Sequence, residues 1–115
     1  MDKNGLSTDA RILYDYLSDK GTWVSQKKVA NALGKADASD LRSKRGKTGL
    51  LHQLAEEIFE STGKLVVTHQ HKGVRLTDDL SVIDDCYSHW LRWHNAIRAK
   101  IDLYRRALES VDSKA

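Results

Sequence analysis

A mainly helical fold with one small β-hairpin, an α+β arrangement ending in a long helix, is what this sequence predicts. Three observations predict it. Apolar residues recur at three- and four-residue spacing in separate stretches before Gly63. The period then switches to alternation across "KLVVTHQHKGVRLT", Lys64 to Thr77. Beyond Asp79 a single apolar and aromatic seam continues for more than four heptads.

Between Leu6 and Ser18, Leu6, Ala10, Ile12, Leu13, Tyr16 and Leu17 form one stripe at helical spacing. Ser7, Thr8 or Asp9 can cap its start, and Gly21 ends it. Trp23 and Val24, within "TWVS", predict a bridge of one or two residues with one face buried. Ser25 caps a second helix, "SQKKVANALG", with Val29, Ala30 and Leu33 inward and Gly34 as its stop. Lys35 to Gly46 is poor in apolar residues, and Ser39 to Ser43 predict a helical turn with Leu41 beneath it.

From Thr48 the helical pattern returns through Leu50, Leu51, Leu54, Ala55, Ile58 and Phe59, and Gly63 closes it. Leu65 and Val67 then alternate with Val66 and Thr68, and Val74 and Leu76 follow Gly73, which supplies the tight turn of a hairpin. Asp78 or Asp79 caps the last helix, predicted to reach about Ser110. Its seam is Leu80, Ile83, Tyr87, Trp90, His94, Ile97, Ile101, Tyr104, Leu108 and Val111, with steps alternating between three and four residues. Leu91, Trp93, Leu103 and Ala107 widen it, so the stripe is broad enough to face both its own domain and a second chain. The expected division is 1–78 as a folded domain and 79–115 as a dimerisation helix.

The chain has 115 residues, enough for one domain or a small domain with an extension. A hydrophobic content of 40% with 30% charged residues reads as soluble and globular. No stretch approaches the roughly 18 apolar residues of a membrane span. "MDKNGLSTDAR" lacks an apolar signal region, and the single cysteine, Cys86, suits a reducing compartment. A cytoplasmic location is therefore expected.

Net charge is only +3, but it is unevenly spread. "KADASDLRSKRGK", Lys35 to Lys47, holds five of the nineteen basic residues against Asp37 and Asp40. The hairpin adds Lys64, Lys72 and Arg75, whereas the last third of the chain is balanced. The cationic excess lies between the second helix and the hairpin. A run of this kind is often just a solvated loop.

The order helix, short strand, helix, helix, two-stranded hairpin resembles the winged helix-turn-helix. "QKKVANALGK" resembles the first half of a helix-turn-helix, with Ala30 admitting the next helix and Gly34 making a left-handed turn. The third helix with "KLVVTHQHKGVRLT" is similar to the recognition helix and wing of small bacterial and prophage DNA-binding proteins. In many of these a Gly-aromatic-basic-Leu run ends the hairpin; here it is Gly73, Val74, Arg75 and Leu76, with valine in place of the aromatic. The likeness covers roughly residues 7 to 78. It departs from the pattern at about twelve residues, Lys35 to Gly46, where a turn of three or four is usual. Either the recognition helix starts near Ser39 and breaks at Gly46, or the turn carries an insertion.

The resemblance implies a sequence-specific double-stranded DNA-binding protein, a dimeric transcriptional regulator of bacterial or phage type, with no cofactor. Arg42, Lys44, Arg45 and Lys47 gather ahead of the third helix, where Thr48 caps the helix or bonds a phosphate. His52 and Gln53 fall on its outer face, and Gln can pair bidentately with adenine. Lys72 with His69 and His71 forms the tip of the wing, while Arg75 points across the hairpin toward an acid. A homodimer interface is expected at Tyr87, Trp90, His94, Ile97, Ile101, Tyr104 and Leu108, with His94 setting the register or acting as a pH-sensitive contact.

Metal binding and catalysis find little support in the sequence. His69 and His71 share a strand face, and Cys86 and His89 share a helix face, but no further ligands follow at matching spacing. "GKTG", Gly46 to Gly49, lacks the earlier glycine and the leading strand of a phosphate-binding loop; Leu41 stands where that glycine belongs. No cysteine, histidine and aspartate spacing marks a nucleophile, so no enzyme is expected. The rival expectation is a protein-interaction module, such as a phage inhibitor of a host protein. It would use Tyr87, Trp90, Trp93 and Tyr104 as its patch, because fold does not fix function.

Overall fold

In a computed structural model the described residues are 5–42, 48–69 and 71–114, with side chains described through residue 110. The elements are α1 (Thr8–Lys20), α2 (Gln26–Ala32), a 3-10 turn (Ala38–Leu41), α3 (Leu50–Thr62), β1 (Leu65–His69), β2 (Gly73–Thr77) and α4 (Leu80–Lys114). The fold is mainly helical, with one antiparallel hairpin and a long C-terminal helix. Two compact units result, Met1–Ile83 and Asp84–Ala115. The first turn of α4 thus belongs with the first unit, beyond the expected division at 78/79.

The first unit is built on one apolar core. Leu13, Leu17, Val29, Ile58 and Val74 are its largest fully buried side chains. They come from α1, α2, α3 and β2, and truncating any of them opens a cavity costing about 2–5 kcal/mol. α1 buries Ala10, Leu13 and Leu17, spaced one helical turn apart. Ile12, expected in this stripe, is 39% exposed, because it lies one step round the helix from Leu13. α3 buries Leu51, Leu54, Ala55 and Ile58. Phe59, also expected inward, is 51% exposed, for the same angular reason relative to Ile58.

Caps fix where these helices begin and end. The Ser7 hydroxyl accepts the Ala10 N–H at 3.3 Å and donates to Glu57 at 2.9 Å, while the Ser7 N–H donates to the other Glu57 oxygen at 2.5 Å. One α3 carboxylate thereby pins the start of α1. Ser25 caps α2 by accepting the Lys28 N–H at 3.3 Å. α2 closes with Gly34 at φ +73°, where the Lys35 N–H returns to Ala30 O at 2.8 Å.

The segment after α2 does not begin the third helix. Asp37 and Asp40 form a capping box around the Ala38–Leu41 turn, Leu41 is 2% exposed, and Arg42 leaves in extended backbone. α3 starts separately at Leu50, with Gly49 as its N-cap.

The hairpin register pairs Leu65 with Thr77 and His69 with Gly73. Alternation turns Val66, Val74 and Leu76 toward the core. Val24 adds a single antiparallel bridge on the other edge of β2: its N–H donates to Val74 O at 2.8 Å and its carbonyl accepts from Val74 N at 2.7 Å. This bridge explains Gly73 more fully than the turn does. Gly73 has φ +103°, and a Cβ there would collide with the Val24 carbonyl oxygen and stand 2.9 Å from its carbon.

α4 is capped by Asp79, whose carboxylate accepts the Ser81 N–H at 2.9 Å and the Ser81 hydroxyl at 2.8 Å. These bonds, with a smaller contribution from the charge of Arg75, hold the Asp79 carboxyl below its ordinary value of 3.8. Among the described residues no helix is long and apolar enough to cross a membrane.

Two outcomes follow from this frame. Gly73→Ala should lower the urea midpoint and cost more than about 2 kcal/mol, since it adds both a positive-φ strain and a backbone clash. Because the Asp79 pKa is depressed on folding, its support for α4 is complete above 3.8 and fades as pH falls through the lower folded value. Amide exchange at Ser81, corrected for intrinsic rate, should therefore quicken on acidification below that point, and Asp79→Ala should remove the dependence.

Candidate nucleic-acid interface

The hairpin tip is organised from within. His69 Nδ1 accepts the backbone N–H of His71 at 3.1 Å and of Lys72 at 3.3 Å. That arrangement requires a neutral imidazole with its proton on Nε2. The His69 ring also stands edge-on to Trp23, with centroids 6.1 Å apart and planes at 69°. Lys72 Nζ lies 5.8 Å from the centre of the Trp23 ring, a cation–π contact of about 0.5–1 kcal/mol. Trp23 is half-buried and precedes the bridging residue Val24. The backbone pairing of Val24 with Val74 thus sets Trp23 as a shelf beneath the tip.

Next to this shelf lies an open pocket of about 380 Å³, lined by Ser25, Gln26 and Lys27 at the start of α2, by Arg42, and by His71 and Lys72 at the tip, among others. Arg42 Nε donates to Gln26 Oε1 at 3.3 Å, which holds the guanidinium against α2. Lys27, Arg42 and Lys72 bring three cations to one pocket, and none of its described lining residues is acidic. Like charges gathered this way repel one another, so an anion entering the pocket gains from all three at once.

Of the residues expected to contact nucleic acid, Arg42, His69, His71 and Lys72 are brought together here. His71 and Lys72 are exposed, whereas His69 is half-buried with one nitrogen committed to the turn. Its part is to position the tip. Thr48 precedes the N-cap of α3, His52 and Gln53 lie in its first turn, and all three are exposed. Gly49, not Thr48, is the N-cap residue, and Gln53 Nε2 donates back to Thr48 O at 2.9 Å. Gln53 must release that bond before it can offer both amide groups to a base. Lys44, Arg45 and Lys47 lie outside the described residues.

Sequence reasoning missed Trp23, Gln26 and Lys27 as part of this site. No local pattern marks them, since only the long-range bridge to Val74 carries the start of α2 to the hairpin. Among the described residues, no three His, Cys, Asp or Glu side chains form a group able to hold a metal ion. The expected interface residues of α4 are exposed in the single chain, from Trp90 at 44% to Leu108 at 68%, with His94 exposed among them. No protein-family model matches the chain, and neither a curated protein nor a solved structure does.

His69→Ala should loosen the tip while leaving the core in place. Exchange at the His71 and Lys72 amides should accelerate, with a global loss of only about 1 kcal/mol. Unchanged exchange at both amides would show that the imidazole does not hold the turn.

Proposed function

We propose that the chain is a sequence-specific double-stranded DNA-binding protein of winged helix-turn-helix type, a dimeric transcriptional regulator of bacterial or phage type that works in the cytoplasm. One observation carries the reading: Arg42, from the basic segment, shares a pocket with Lys27, His71 and Lys72, although Lys72 is thirty residues away in sequence. A cationic surface assembled from separate segments suits a polyanion better than a solvated charge run does. The element order supports the same reading. α1, the Val24 bridge, α2, α3 and the β1–β2 hairpin follow one another as the winged-helix resemblance implies. The reading assigns the protein no catalysis, cofactor or metal.

On this view Lys27, Arg42 and Lys72 engage phosphates and set the docking position. His52 and Gln53, exposed on the first turns of α3, are the base-reading candidates. His71 lies along the backbone beside the tip.

A second reading is favoured by a different observation. The large aromatic residues of α4, Tyr87, Trp90, Trp93 and Tyr104, are all exposed in the single chain. Such a patch suits a protein partner, in which case the first unit is a scaffold. Light scattering combined with a random-duplex gel shift separates the two. A monomer that ignores duplex supports the interaction module; a dimer that binds duplex supports the regulator.

Affinity for a random duplex should fall steeply with salt, because bound cations release counterions. Arg42→Ala and Lys72→Ala should each flatten the log–log salt slope by about one unit. An absence of binding at low salt, or a slope that neither substitution alters, would refute DNA recognition through this surface.

A further inference from the structure

The reading as a dimer leaves open how two α4 helices pair, and the charges beside the seam decide it. Tyr87, His94, Ile101 and Leu108 fall at heptad position a, and Trp90, Ile97 and Tyr104 at d. Asp84, Leu91, Arg98 and Arg105 then fall at the flanking position e, and Trp93 and Lys100 at g. Asp84, Arg98, Lys100 and Arg105 are all exposed. In a parallel pair each g faces the following e of the other chain. Lys100 would then meet Arg105, once on each flank of the pair. Like charges on both flanks oppose that arrangement.

In an antiparallel pair e faces e and g faces g. We infer that a second copy of this chain covers the α4 seam in antiparallel orientation, with Asp84 of each copy against Arg105 of the other. The register that does this sets Tyr87 against Tyr104, Trp90 against Ile101 and His94 against Ile97, each layer occurring twice about the two-fold axis. It also sets Trp93 beside Lys100 of the second copy, a cation–π pairing. An apolar notch of about 460 Å³ lies at that place, lined by Trp93, Ala96, Ile97 and Lys100 with His89 and Arg92. Residues 93, 96, 97 and 100 make the four-cornered hole that receives a knob from a facing helix.

Neighbouring registers fare worse. A slip of one heptad toward the C-terminus places Arg98 against Arg98 and Lys100 against Lys100. A slip the other way sets Tyr104 against Leu80 and leaves Leu108 with no partner residue on the facing helix. The inference rests on the dimeric reading above and gives it a geometry. Ile83, where the first unit ends, lies opposite Leu108, about 25 residues farther along the helix. At about 1.5 Å per residue the two Ile83 positions stand roughly 38 Å apart.

Sedimentation equilibrium of the full chain tests the pairing with Asp84→Arg, Arg105→Asp and the double swap. Each single swap should weaken the wild-type dimer roughly three- to tenfold, since it sets like charges together twice, and the double swap should restore it to within about twofold. Single swaps that tighten the dimer would establish the parallel pair and overturn the inference while leaving the dimer intact. Single swaps without effect, or no recovery in the double, would overturn it too. A wild-type chain that stays monomeric would instead overturn the dimeric reading itself.

Discussion

Two backbone hydrogen bonds between Val24 and Val74 hold the arrangement on which the rest depends. A two-stranded hairpin alone is marginal in water. Here β2 is paired on both edges, by β1 along its length and by Val24 at one point. Val74 is fully buried in the helical core at that same position. The pairing demands close backbone approach at Gly73, where any side chain would strike Val24. One residue without a Cβ thereby permits the contact that joins the segment between the first two helices to the hairpin. Trp23, next along the chain, then becomes the support for Lys72 and His69.

Much of this frame was legible in the sequence. Helical periods at Ala10–Leu17 and Leu51–Ile58, the stops at Gly21, Gly34 and Gly63, and the alternation through Leu65–Leu76 all reflect local rules. Ser25, Asp79 and the buried Leu41 were legible for the same reason. Local rules mis-set Ile12 and Phe59, because an apolar residue at a stripe's edge is buried only if another element reaches it. The bridging Val24 was anticipated as a buried extended residue, but its partner was not. The site suffered most from that gap. Lys27 joins the site because the bridge brings α2 beside the tip. His69 looked like a surface contact, yet its Nδ1 carries the turn.

Two surfaces with different chemistry emerge from one short chain. In the first unit, cations from α2, the segment after the 3-10 turn and the hairpin converge without a lining carboxylate. Along α4, apolar and aromatic side chains continue past the point where the first unit ends. Four acids serve structure: Glu57 ties α1 to α3, Asp37 and Asp40 cap a turn, and Asp79 starts the last helix. None of these four carboxylates lines the cationic pocket. Charge patterning along α4 provides orientation where apolar contact alone would tolerate several.

Backbone amide mapping reads out where a duplex touches the protein. Labelled chain titrated with a random DNA duplex at low salt should show backbone amide shifts concentrated at Gln26, Lys27, Arg42, His71 and Lys72, with a second set at the start of α3. Shifts confined to α4, or none at any duplex concentration, would rule out DNA binding at the cationic pocket.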